Sequence, residues 1–333
     1  MKIITDSAIP FLKGRIPDSI EKEEFPGDEI TSEKIKDAAA IVVRTRTKCN
    51  EGLLKDSSVK LIVTATIGTD HIDIPWCEKH GIKVKSAPGC NAPGVAQYVL
   101  ASLFKSGFDI EKDTLGIIGY GNVGQKLAEW ATQMGIRTLI SDAPRQKAGN
   151  KDIDYKPLDF VLRNSDAVTL HVPLTKEGDF PTFHMIGKSQ IGLLKQNCLL
   201  INSSRGGVVN EAELKEALKD GKIRAVTDTW ENEPYIDSEL LKLSFISTPH
   251  IAGYSYEGKK RATMMALEAL EEYLEIKTNK ADLFCNPKNT TITKKIIEDS
   301  YNPLEDSENL KNNPLDFETL RNTYNYRHEP LFS

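Results

Sequence analysis

Short apolar runs separated by polar, helix-compatible stretches fill the first ninety residues: Lys2 to Asp6, Ala38 to Thr45, Lys60 to Gly68 and Ile82 to Ala87. Alternation of this kind predicts parallel strands with helical crossovers, and so a small α/β domain. Pro88-Gly89-Cys90-Asn91 breaks the pattern, and Val95 to Phe104 then reads as an apolar helix leading into a second domain. The alternation resumes with strands at Thr114 to Ile118, Arg137 to Ser141, Ala167 to Val172, Cys198 to Asn202 and Arg224 to Thr227. Helical spacing appears at Leu127, Ala128, Ala131 and Met134, again over Glu211 to Lys219, and over Glu257 to Glu275 through Met264, Met265, Leu267, Leu270 and Leu274. The last of these is long enough to carry the chain back to the first domain. From Asn279 onward the chain is polar and proline-punctuated, with apolar anchors at Leu315, Phe317, Leu320 and Tyr324. This tail reads as either an irregular subunit contact or a partly disordered end.

The length of 333 residues exceeds what one core usually holds, so two domains and a small third element are expected. Forty-three basic and 48 acidic residues give a net charge of -5 without long blocks, which argues against a nucleic-acid surface. The apolar stretches near the start are broken by Asp6, Pro10, Lys13 and Arg15, so neither a signal peptide nor a membrane span is expected, and the cytosol is the expected compartment. Five cysteines with no C-x-x-C pair fit reduced thiols better than a disulfide frame or a zinc site, and no metal is expected.

The organising stretch is Leu115-Gly116-Ile117-Ile118-Gly119-Tyr120-Gly121-Asn122-Val123-Gly124. A strand, three glycines at G-x-G-x-x-G spacing and a helix form a Rossmann-type fingerprint: Gly119 allows the turn, Gly121 lets a pyrophosphate approach, and Gly124 lets helix and strand pack closely. Asn122 and Val123 open the helix, where free N–H groups meet the anion. The second strand ends at Asp142, about 18 residues past Gly124, where a carboxylate can accept both ribose hydroxyls of an adenosine. A 2′-phosphate would be repelled there, so NAD is expected over NADP, with Arg145 moderating the preference.

The remaining strand ends carry polar clusters on the same rim. Arg205 can grip a substrate carboxylate through two parallel N–H···O bonds. His250 can take a hydroxyl proton, since an imidazole titrates near working pH. Glu233 is a candidate to bond the far side of His250, and Asp228 could fix a nicotinamide carboxamide. Each has a duller explanation: Arg205 as a loop anchor, His250 as a hydrogen-bonded loop histidine, Glu233 as a solvated turn acid and Asp228 as a cap. In the first domain Arg44, Thr45, Arg46 and Thr66 sit at strand ends, where open parallel sheets bind ligands. Arg44 and Arg46, two apart, share a face of an extended segment and make a candidate phosphate site.

Leu115 to Gly124, His171-Val172-Pro173-Leu174, Ile201 to Val209, Asp228 to Pro234 and Pro249-His250-Ile251-Ala252-Gly253 resemble the D-isomer-specific 2-hydroxyacid dehydrogenases, over most of Met1 to Lys277. The resemblance implies a Rossmann-type NAD-binding domain, 91–254, inserted in a flavodoxin-like α/β substrate domain, 1–90 and 255–280, plus a short C-terminal dimerisation extension, 281–333. It implies a catalytic trio of Arg205, Glu233 and His250. It also implies a cofactor site lined by Asp142, Val172, Ser203, Ser204, Arg205, Asp228 and Gly253, with Thr45, Thr66 and Tyr254 on the substrate. Val43-Arg44-Thr45, Thr64 to His71, Ala87 to Ala92, His250 to Tyr254 with Glu257-Gly258-Lys259, and Phe317 to Arg327 are similar to the branch of the family that oxidises 4-phospho-D-erythronate in vitamin B6 biosynthesis. A homodimer follows from the same likeness. Other acids of the family, 3-phosphoglycerate or hydroxypyruvate/glyoxylate, are the alternative substrates, and a non-catalytic NAD(H)-sensing protein is the alternative of a different class.

Overall fold

The computed structural model describes residues 1–151 and 153–332, which divide into two compact units. The first joins Met1–Asn91 to Tyr256–Pro287. Its strands are β1 (Lys2–Asp6), β2 (Glu21–Phe25), β3 (Ala38–Val43), β4 (Leu61–Thr64) and β5 (Lys83–Lys85), in the order β2-β1-β3-β4-β5. Every pairing is parallel, and the order is that of flavodoxin-like sheets. The three inner strands are almost continuously buried because helices cover both faces. β2 is an edge strand of sequence Glu-Lys-Glu-Glu-Phe, with a partner on one side only. Its charges stay near solvent, Lys2 Nζ meeting Glu23 at 2.7 Å, so it has no apolar run to betray it. The long helix Tyr256–Leu274 buries Ala266, Leu267, Ala269 and Leu270 against Ile3, Ala40, Val42, Leu61 and Val63.

The second unit joins Ala92–Ser255 to the residues from Lys288 onward. Here β6 (Thr114–Ile118), β7 (Arg137–Ser141), β8 (Ala167–Leu170), β9 (Cys198–Asn202), β10 (Ile223–Thr227) and β11 (Ile246–Ser247) form a parallel sheet in the order β11-β10-β9-β8-β6-β7. β6 has β7 on one side and β8 on the other. The chain therefore changes direction across the sheet at β6, and the crevice outside the carboxyl ends of β6 and β8 is where such sheets bind ligands.

The helix Ala92–Lys105 is buried from Gly94 to Phe104. A helix apolar all round needs cover on every side. Its core cluster joins strand residues Leu115, Ile117 and Ile201 to Ile292, Ile297 and Tyr301 of the tail. The tail is helical, which corrects the expectation of an irregular segment or a partly disordered end. It folds as helices Lys294–Ser300, Pro303–Asn312 and Phe317–Asn322, with Ile297, Leu310 and Phe317 as buried anchors. Roughly one anchor per helix is too sparse for a periodic signal. The segment from 281 is divided as well: up to Pro287 it belongs with the first unit, and from Lys288 with the second.

Arg327 fastens the tail. Its guanidinium donates to Gln97 Oε1 at 3.0 Å and to the carbonyls of Gly94 (3.0 Å), Ile251 (3.1 Å), Tyr254 (3.2 Å) and Ala252. It also lies 4.3 Å over the Tyr301 ring. Arg327→Met leaves these acceptors without their charged donor and should destabilise the second unit by about 2 kcal/mol. The readout is the urea midpoint by tryptophan fluorescence, Trp130 and Trp230 lying in that unit; a midpoint equal to wild type would refute the role.

Candidate active site

The glycine turn leaves β6 with Gly119 at φ 92°, a conformation that side chains resist. A Cβ there would also lie 2.5 Å from the His171 carbonyl oxygen and 3.0 Å from Val172, so the turn is pressed against the end of β8. A Cβ on Gly124 would run into the Gly119 carbonyl. Gly121 differs: its φ is -77° and a Cβ would meet nothing within 4 Å. The protein's own packing does not require glycine at 121, but a ligand resting on the backbone would. The helix Asn122–Gln133 begins there with no side-chain cap, and its first ladder bond is Gln125 N–H to Gly121 O at 2.9 Å. The amides of Asn122, Val123 and Gly124 thus stand at an uncapped helix N-terminus, where an anion is stabilised.

Asp142 has a structural duty as well as the expected one. Its Oδ2 accepts the Tyr120 N–H at 2.7 Å and its Oδ1 the Arg145 N–H at 3.0 Å, with Arg145 Nε 3.9 Å away. One carboxylate therefore holds the glycine turn and caps the next short helix, leaving its remaining lone pairs for a ribose.

At the end of β9, the Asn202 side chain shapes the loop that carries Arg205. Its Nδ2 donates to the Arg205 carbonyl at 3.0 Å, and its Oδ1 accepts from Ser204 N at 3.2 Å and Ser204 Oγ at 2.9 Å. Arg205 Nη1 donates to the Ser204 carbonyl at 2.9 Å. Among the described residues Ser203 Oγ is buried without a hydrogen-bond partner, an acceptor and donor left for a ligand. A Cβ on Gly206 would collide with the Trp230 carbonyl, so this loop and the one after β10 are in backbone contact.

The loop after β10 carries Asp228 and Glu233. Asp228 is 1% exposed, and its carboxylate accepts from Thr248 Oγ1 at 2.7 Å, Ile251 N at 2.8 Å and Ala252 N at 3.1 Å. Its carbonyl takes the His250 N–H at 2.9 Å. Burial raises the Asp228 carboxyl, against the opposing pull of His250 and these donors. The expected contact with a nicotinamide carboxamide would use whatever acceptor capacity remains, because the acid is first of all the knot of the His250 loop.

Glu233 meets His250 squarely: Nδ1 lies 3.0 Å from Oε1 and 2.8 Å from Oε2. Trp230 N–H donates to Oε1 at 3.0 Å, and Arg321 Nη1 lies 3.5 Å from Oε2. Burial acts to raise the Glu233 carboxyl, but His250, the Trp230 amide and Arg321 together hold it below the ordinary range. With Nδ1 spent on Glu233, Nε2 is the nitrogen left to exchange a proton. Tyr254, further along the loop, has its hydroxyl 3.3 Å from Arg321 Nε and its ring packed edge-on to Tyr324 and Tyr326. Arg321 carried no signal in the sequence, since its partners are dozens of residues away.

In the first unit, an open depression of about 470 Å³ is lined by Thr45, Lys48, Asn50, Asp70, His71 and Asp73. Lys48 and Asn50 were not expected there; they follow the end of β3 by a turn, where spacing says nothing about facing. Arg44 Nη1 is turned to the Ala8 carbonyl at 2.8 Å, and Thr66 Oγ1 to Thr64 Oγ1 at 2.6 Å and the Gly68 carbonyl at 3.0 Å. Arg46 is exposed, its Cβ against Gly27, and a turn closed by Thr47 N–H on the Arg44 carbonyl at 3.3 Å replaces the extended segment on which the two arginines were expected to share a face. Among the described residues no cluster of side chains could hold a metal ion, and no helix is long and apolar enough to cross a membrane.

Residues 97–252 match the family described as D-isomer specific 2-hydroxyacid dehydrogenase, NAD binding domain. Erythronate-4-phosphate dehydrogenase of Bacteroides thetaiotaomicron is 43% identical over 99% of this chain and 97% of its own length. The Bacteroides fragilis protein of the same name is 42% identical with the same coverage. Among solved structures, D-lactate dehydrogenase from Aquifex aeolicus complexed with NAD and lactic acid has a TM-score of 0.68 and 26% identity, over 83% of this chain and 96% of that one. The second unit is an NAD-binding domain, and its uncapped helix, open Gly121 and unpartnered Ser203 hydroxyl fit that cofactor. Gly121→Ala should fold with an unchanged melting temperature and yet weaken NADH binding by about tenfold or more, since a methyl group enters the space a pyrophosphate needs. Fluorescence titration measures this; unaltered affinity would take the dinucleotide off this turn.

Proposed function

The chain belongs to the D-isomer-specific 2-hydroxyacid dehydrogenases, and from that premise we propose that it oxidises 4-phospho-D-erythronate at C2, with NAD, to (R)-3-hydroxy-2-oxo-4-phosphooxybutanoate, a step of pyridoxal 5'-phosphate (vitamin B6) biosynthesis. The observation that carries the catalytic reading is the His250–Glu233 pair at 2.8 Å, because it orients the imidazole and sets a carboxylate behind the ring that takes the proton. The same pair argues against a protein that only senses NAD(H).

Bound NAD supplies the acceptor for the hydride that leaves C2. Arg205 holds the substrate carboxylate through its guanidinium fork and polarises the reacting oxygen. His250 Nε2 takes the C2 hydroxyl proton as the C–O bond becomes C=O, and Glu233 stabilises the imidazolium through Nδ1. Thr45, with Lys48 and Asn50 beside it in the first unit, suits the distal phosphate, and Arg44, Arg46 and Thr66 are the further substrate contacts of this reading. Tyr254 reaches the substrate from the His250 loop. Asp142 sets NAD over NADP. The chain works as a cytosolic homodimer; the likeness of Phe317 to Arg327 to the family's dimerisation region and the 96% exposure of Leu315 beside it support that assembly.

His250→Ala should lower kcat by about a hundredfold or more, with a smaller effect on KM. Arg205→Ala should raise KM and lower kcat together. Near-normal turnover in the histidine variant would remove it from the mechanism. With NAD as oxidant, kcat/KM for 4-phosphoerythronate should exceed that for 3-phosphoglycerate, and replacing NAD by NADP should cost about tenfold or more. Preference for 3-phosphoglycerate would overturn the substrate assignment, and equal use of both cofactors the role of Asp142.

A further inference from the structure

The groups behind the His250 imidazole do not all come from the loops at the sheet edge. The tail helix Phe317–Asn322 brings Arg321 to Glu233, with Nη1 3.5 Å from Oε2, while Nε of the same guanidinium donates to Tyr254 Oη at 3.3 Å. The two side chains of the ion pair are 20% and 19% exposed, so water screens it only in part. We propose that Arg321 is a positioning residue for the reaction, holding Glu233 and Tyr254 in one arrangement and sharing the charge of the Glu233 carboxylate with His250. The proposal rests on the reading of His250 as the proton acceptor.

A carboxylate with imidazolium as its sole cationic partner stabilises that cation most strongly. To accept a proton from an alcohol, however, the imidazole must start neutral. A second cation on Oε2 weakens the pull of Glu233 on the His250 proton. Two elements contribute charge around the pair: Asp228 from the loop after β10, and Arg321 with Glu318 from the tail helix. Tyr254 comes from the loop of His250 itself, and Glu211 acts on Glu233 from the start of the helix Glu211–Lys219. The guanidinium that balances Glu233 is that of Arg321. Fastening the tail is a duty Arg327 already performs through its bonds to Gln97 and four carbonyls.

The test is a pH titration of the ring nitrogens of His250 by NMR in protein carrying labelled histidine, in wild type, Arg321→Gln and Arg321→Lys, assigned by loss of the signal in His250→Gln. It needs no substrate. In Arg321→Gln the midpoint should rise by about half to one pH unit, and Arg321→Lys should restore most of the difference. The acidic limb of the kcat/KM profile should move upward by the same amount. Arg321→Met carries the same expectation and keeps the apolar stem, so it decides the matter should the glutamine variant not fold. An unmoved His250 midpoint in an active enzyme, or equal shifts in the glutamine and lysine variants, would overturn the role of Arg321 alone. A wild type that oxidises no 2-hydroxy acid would overturn the catalytic reading beneath it, and the two failures are told apart by the turnover assay.

Discussion

The site depends on one buried carboxylate, that of Asp228. An acid 1% exposed to water is costly unless its oxygens are bonded, and here Thr248, Ile251 and Ala252 supply the donors. The same residue takes the His250 N–H on its carbonyl. His250 sits at φ 56°, a conformation that non-glycine residues adopt only when their surroundings impose it. The acid thus determines where the imidazole points without touching its ring. Tyr98 extends the network, its hydroxyl 2.6 Å from Thr248 Oγ1, and so ties the loop to the most buried helix of the unit.

The other side of that loop is held by the tail. The carbonyls of Ile251, Ala252 and Tyr254 all accept from the Arg327 guanidinium, that of Ile251 also taking the Tyr254 N–H at 2.8 Å. A planar cation with five donors can satisfy several such carbonyls at once, which lysine could not do. The apolar tail anchors Ile292, Ile297 and Tyr301 cover the face of the helix Ala92–Lys105 that the sheet leaves open. Removing the tail would therefore expose hydrocarbon and release the loop of the base together, so the tail is part of this unit's core.

The glycines divide according to what fills the space beside them. At 119, 124 and 206 the protein's own backbone occupies the place of a side chain. The first two press turn, strand and helix together at the point where the strand order reverses. The third brings the Arg205 loop against Trp230, whose amide in turn holds Glu233. At 121 the space is open, and the requirement for glycine comes from outside the chain.

Signals confined to a short window were legible in the sequence: the alternation of apolar runs, the G-x-G-x-x-G turn opening a helix, and Asp142 closing the second strand. Their physics is local, since strand and helix periods and turn stereochemistry need only neighbouring residues. The charged edge strand Glu21–Phe25 and the two-residue strand Ile246–Ser247 escaped, because pairing with a distant strand, not an apolar run, makes them strands. Likewise the polar clusters at strand ends singled out Arg205, Glu233 and His250 as candidates, but not the direction of their bonds. That Asp228 folds the His250 loop, that Lys48 lines a depression with Thr45, and that Arg321 stands behind Glu233 were decided by tertiary structure alone. Charge and hydrogen bonding act across space between residues that share no sequence window, and so only the folded chain shows which groups meet.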